Sequence, residues 1–353
     1  MTKRTLINTA HCILCCLTIF AGASAGAATL GGPMTLEDEG SFFVNGKIVD
    51  SDFPGASLVT GPSPPGRIMV NQMYVHFRIP ASKRGLPVVM VHGSTHTGMT
   101  YETTPDGREG WATYFVRKGT PVYVVDQAGR GRSGFDPTAI NRMRDQAGGN
   151  PSTLPTILIG SHERAWPNFR FGPKYPEPYP GLQFPLEALN QYLMQLVPNT
   201  ETTLAGAGDN TVDGLAALLD KIGPAIVIVH SQSGVIGLDL VKQRPNLVKA
   251  LVTVEGGCDN FSAADIPSAY SKVPVLSVWG DYSVGAKGTV NGDGRRNTCA
   301  AAINSIKSAG GRAGFILLPD MGIKGNSHMM MMDKNNLQIA DVIIKWLGEN
   351  AAK

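Results

Sequence analysis

Charge is scarce in this sequence, and so is cysteine. Asp, Glu, Lys and Arg make up 17% of the 353 residues, and the formal net charge is only +3. No basic cluster interrupts that near-balance, so the footprint of a nucleic-acid binder is missing. Long apolar runs are absent too. The best candidate, Cys12 to Phe20, is too short to span a bilayer. It follows the charged start Met1-Thr-Lys-Arg-Thr5 and leads into Ala21-Gly-Ala-Ser-Ala-Gly-Ala27, which together read as a secretory signal peptide over residues 1–27. The expectation is a secreted or periplasmic protein whose mature form has no membrane segment. Of five cysteines, Cys12, Cys15 and Cys16 belong to that leader, leaving Cys258 and Cys299. In an oxidising compartment such a pair predicts one disulfide, with two separate buried thiols as the alternative. No internal repeat is visible, and the length suits one large domain with an insertion, or at most two domains.

What is present is an alternation of strand and helix signals. Gly40 to Ile79 alternates apolar and polar residues around a Pro/Gly-rich turn at 61–66, which predicts antiparallel strands at a sheet edge. Further on, Pro87–Gly93, Pro121–Asp126, Ile226–Val229, Val248–Glu255, Val273–Trp279 and Ala313–Leu318 read as buried strands. Helical stretches lie between and after them at 108–118, 209–222, 297–309 and 336–347. Such alternation implies a mostly parallel sheet covered by helices on both faces. Residues 137–207 break the rhythm: they are rich in proline and aromatics, with one predicted helix over 185–197. We read them as a cap inserted into a core formed by 28–136 and 208–353. The cap aromatics are candidate pocket walls or packing groups. Met329 to Met332 likewise either fill irregular core space or line an adaptable pocket.

The remainder is organised around Ile226-Val-Ile-Val-His-Ser-Gln-Ser-Gly-Val-Ile236. An apolar β-branched strand runs into a polar break and then an amphipathic helix that Pro245 stops. A serine on such a turn is exposed, with the helix N-terminus behind it, where backbone N–H groups favour an oxyanion. Ser231 is the preferred nucleophile because it follows the strand directly and has the smaller residue two positions on. Ser233 is the alternative, and either serine can be read as a helix N-cap.

This turn resembles the nucleophile elbow of α/β-hydrolases, although the usual Gly-x-Ser-x-Gly has Val229 and Ser233 at its flanking positions. Asp126-Gln-Ala-Gly-Arg-Gly-Arg-Ser133 and His92-Gly93 resemble further turns of the same fold. The resemblance implies that the turn after His92-Gly93 supplies an oxyanion N–H, from Ser94, alongside that of Gln232. It places the general base at His328, after the last strand, in the chain order nucleophile, acid, histidine. In most of the family the acid sits after the next-to-last strand, where this sequence has Ser283 in Gly280-Asp-Tyr-Ser283. Glu255, closing the strand beside the elbow strand, is the preferred acid, with Asp281 as the alternative. This pattern is similar to secreted bacterial esterases with a Ser–Glu–His triad. The implied function is carboxylic-ester hydrolysis through an acyl-enzyme on a small-molecule ester, with no metal or organic cofactor. A lactonase, amidase or carbon–carbon hydrolase, or an inactive binding protein on this fold, are the competing readings. The number of subunits, a homodimer included, stays open.

Overall fold

Period-two alternation folds the first part of the chain into a long hairpin. The computed structural model describes residues 31–145, 150, 152, 154, 156–199, 207–284 and 292–351. The signal peptide expected over 1–27 lies outside the described residues. The chain divides into two compact units, Met1–Pro33 and Met34–Lys353, and everything below belongs to the second. Strands Leu36–Ser51 (β1) and Gly66–Pro80 (β4) pair antiparallel, with the two-residue strands Ala56–Ser57 (β2) and Gly61–Pro62 (β3) pairing in the connection.

Val88–Val91 (β5), Met99–Glu102 (α1), Trp111–Arg117 (α2) and Val122–Asp126 (β6) follow, then helices Thr138–Asp145 (α3), His162–Asn168 (α4) and Leu189–Met194 (α5). Ala207–Ile222 (α6) returns the chain to Ala225–His230 (β7), Ser233–Gln243 (α7) and Val248–Val254 (β8). Val275–Trp279 (β9), Gly292–Ser308 (α8), Ala313–Leu317 (β10) and Asn336–Asn350 (α9) complete it. Among the described residues one eight-stranded sheet runs in the order β1-β4-β6-β5-β7-β8-β9-β10. The pairings β1–β4 and β4–β6 are antiparallel and the rest parallel.

Successive side chains of a strand point to opposite faces, and in β7 both sets are apolar. Val227 and Val229 join a core with α6, α7 and α8, while Ile226 and Ile228 join a second core with α2 and α9. That double burial is why the parallel strands read as continuous apolar runs. Met329 to Met332 are all fully buried in the second core, so the run is packing.

The helix expected over 185–197 is a 3-10 turn at Leu186–Ala188 followed by the shorter α5. No helical periodicity announces α4, which carries Pro167 within its seven residues. Pro167 is the last residue but one of the helix, so its ring disturbs only the final turn, where the helix is already ending. Helix α8 starts earlier than expected, its first turn held by the Arg296–Asp293 pair at 2.6 Å.

Candidate active site

Ser231 sits at the C-terminal end of the sheet, between β7 and α7, with φ at +56°. A non-glycine residue is rarely left-handed, and the conformation costs about 1–2 kcal/mol. Its surroundings impose it. The Ser231 carbonyl accepts from both Gly234 N and Gly257 N at 3.0 Å, and its N–H donates to Val254 O at 3.1 Å. Two glycines permit the close packing. A Cβ on Gly234 would lie 2.4 Å from Gly257 N, and one on Gly93 would lie 2.9 Å from Ser231 Cβ. The Ser233 hydroxyl is buried, accepts from His230 N at 2.9 Å and has Val91 O at 3.0 Å and His230 O at 2.9 Å as alternative acceptors for its one hydrogen. It ties the helix to the strand.

Parallel registration brings the next residue in. His230 lies opposite Val254 and Val254 opposite Val278, so β7, β8 and β9 end level and Glu255 emerges beside Ser231. Glu255 is also left-handed, with φ at +46°, and fully buried. Its Oε1 accepts from Gly280 N at 2.9 Å, and its Oε2 accepts from Nδ1 of His328 at 2.6 Å. Asp281 does something else: its two oxygens accept from the N–H groups of Gly325 and Asn326, at 2.7 and 2.8 Å, bracing the loop that carries His328. Asp333 braces the same loop, accepting from the N–H and hydroxyl of Ser327.

The segment between β6 and α6 is bonded into this group. His328 N donates to Phe169 O, and Gln183 N to Gly325 O. On the other side Val197 N donates to Thr95 O, and Asn199 Nδ2 to the Ser94 hydroxyl at 2.7 Å. Phe169 stacks on the His328 ring, 8° from parallel. Arg170 is buried and left-handed, with φ at +57°. It ion-pairs with Glu255 Oε2 and places Nη2 2.8 Å from His328 Nδ1. Guanidinium and imidazole thus converge on one carboxylate oxygen.

Ser231 and His328 line one cavity of about 120 Å³, with Ser94, His96, His230 and Phe169 among its walls. Its histidines are held neutral. Burial, then the charge of Arg170, keeps His328 well below the usual histidine range. Burial, then His96, does the same for His230, and burial takes His96 down to about 4. His230 donates from Nε2 to the His328 carbonyl at 2.9 Å, fixing the loop. Among the described residues His328 Nε2 has no hydrogen-bond partner. It is therefore a neutral acceptor not committed to another described group.

A structure described as that of a novel bacterial esterase superposes with a TM-score of 0.85 at 40% identity, covering 91% of this chain and 98% of its own. The chain belongs to the α/β-hydrolase family. A probable secreted lipase, phiG, from a fungal species (strain ATCC 74256) is 28% identical over 328 residues, which is 78% of this chain and 85% of the lipase. No family model matches the chain.

The structure brings Ser231, Glu255, His328 and Ser94 together, and makes Gln232 the residue capping α7. Cys258 and Cys299 are joined by a disulfide, Cα atoms 5.2 Å apart. His92 braces the loop, Nε2 accepting from Gln127 N at 3.0 Å. Arg130 donates to Gly93 O and to the Gln232 side chain, clamping the strand ends that flank Ser231. Of the aromatics between β6 and α6, Phe169 lines the cavity, while Trp166, Phe171, Phe184 and Tyr192 pack in the second core. Sequence reading missed Arg170, Asn199 and Asp333. A hint was present for Arg170: a lone charge inside Phe169-Arg-Phe171 needs a buried counter-charge.

Proposed function

We propose that this protein is a serine esterase for small carboxylic esters, exported through the leader at 1–27. The observation that carries the reading is the Glu255–His328 bond at 2.6 Å, with His328 and Ser231 on one cavity wall. Ser231 attacks the ester carbonyl while Nε2 of His328 takes its proton. Glu255, bonded at Nδ1, holds the ring orientation and stabilises the imidazolium. The oxyanion is received by the N–H groups of Ser94 and Gln232, the latter backed by the N-terminus of α7. His328 then protonates the leaving alcohol, water enters, and the same groups in reverse release the acid. Residues 137–207 act as a cap that closes the site and excludes water during the acyl-enzyme stage.

The cavity also limits size. A space of roughly 150 Å³ accommodates a benzene-sized group, and this one is about 120 Å³. That supports short acyl chains over the long chains of a lipase. The test is a series of p-nitrophenyl esters with acyl chains from two to sixteen carbons. Activity is expected to peak at or below about six carbons, and Ser231→Ala to lower kcat by about 10³-fold or more. A peak at long chains, or an active Ser231→Ala variant, would contradict the reading.

A further inference from the structure

One charged group on the cavity has no part in the chemistry just described. Arg164 lines it from α4, with Asn168 one turn further along the same helix. Its side chain is exposed, and it makes no ion pair with a carboxylate among the described residues. None of the described residues lining the cavity is Asp or Glu. The cations around it are several. Arg130 bonds to Gly93 O and Gln232, Arg170 sits against Glu255, and the charge of Arg295 reaches both His230 and His328. The nearby carboxylate of Glu255 is already shared between Arg170 and His328. The cavity histidines are neutral and cancel nothing. Ser231 thus opens onto a space whose outer cation is Arg164, while Arg170 is matched by Glu255 and Arg295 is faced by Asp259.

That outer cation favours one kind of ligand. We infer that the preferred substrate is a small ester carrying a carboxylate, held by Arg164 at the cavity mouth while its ester carbonyl lies at Ser231. This rests on the esterase reading above. The size fits: a sphere of the cavity's volume is about 6 Å across, the reach of a four- or five-carbon diacid monoester. Guanidinium also suits this task, since its planar fork donates to both carboxylate oxygens. An exposed pair of this kind gives a factor of about five at most.

Two substrates of equal chain length decide the matter: p-nitrophenyl valerate and mono-p-nitrophenyl glutarate, which differ in a terminal methyl against a carboxylate. With buffer hydrolysis subtracted, the wild-type ratio of kcat/KM, glutarate over valerate, is expected to be about two to five and to shrink as salt is raised. Arg164→Lys should keep most of the ratio, Arg164→Gln should bring it to about one, and Arg164→Glu should invert it. A wild-type ratio at or below one, or a ratio unchanged in Arg164→Glu, overturns the inference while valerate turnover leaves the esterase reading standing. If neither ester is cleaved, the esterase reading falls and this inference with it.

Discussion

Left-handed backbone outside glycine marks the site one residue at a time. Thr95, Arg170, Ser231 and Glu255 all have positive φ, and the remaining described cases, Asn45 and Asn71, are of the type that tolerates it. Strain of this kind persists only where neighbours over-determine it, and each of the four is pinned by backbone or buried side-chain bonds. Arg170 is the most consequential. It places a cation beside the imidazole, opposing protonation of His328, with Arg295 and His230 acting in the same direction. Arg170→Met removes that cation, so the His328 imidazolium becomes easier to form. The acidic limb of the kcat/KM profile is expected to move to higher pH than in wild type. A loss of rate at every pH with the limb unmoved would show that Arg170 only supports the fold.

At the scale of elements, level strand ends do the assembling. Parallel β7, β8 and β9 stop together, so consecutive loops deliver Ser231, Glu255 and the Gly280 N–H to one point. The disulfide fastens the loop after β8 to α8, starting three residues beyond Glu255. It closes a loop across a sequence separation of 41, for which the chain-entropy account gives about 2–4 kcal/mol. The Cys258→Ser, Cys299→Ser double variant is therefore expected to lose that much stability in urea unfolding. Its kcat should change less than that of a Glu255→Gln variant, because the carboxylate keeps its bonds to Gly280 and His328. An unchanged urea midpoint would show that the bond contributes nothing to the folded state.

For the whole molecule, stability should carry a signature of one buried acid. Asp333 is fully enclosed, and burial outweighs its bonds from Asn326 and Ser327, raising its carboxyl to about 7 from an ordinary 3.8. A group whose pKa is raised on folding binds its proton more tightly in the native state. Its contribution is complete below about pH 4 and is lost as pH rises through about 7. Asp333→Asn should flatten the dependence of the urea midpoint between pH 5 and 8, even though it lowers stability by disturbing the Ser327 bonds. An unaltered slope would assign that dependence to other groups.

Much of this was legible in the chain itself because the signals are local. A β-branched run, a polar break and an amphipathic helix specify an elbow by short-range sterics and burial, and the alternation of such units specifies a parallel sheet with two covered faces. Chain order then singled out His328. What only the tertiary structure decided concerns groups distant in sequence. Glu255 and Asp281 both stand at strand ends, and strand registration alone turns Glu255 to His328 and Asp281 to the amides of Gly325 and Asn326. The four methionines read equally well as pocket or core until α9 closed over them. Arg170 lies in an irregular segment whose course follows no period, and its charge acquires a role only where that segment meets the ends of β8 and β9. Local interactions encode elements; the counter-charge of a buried group is set by long-range packing.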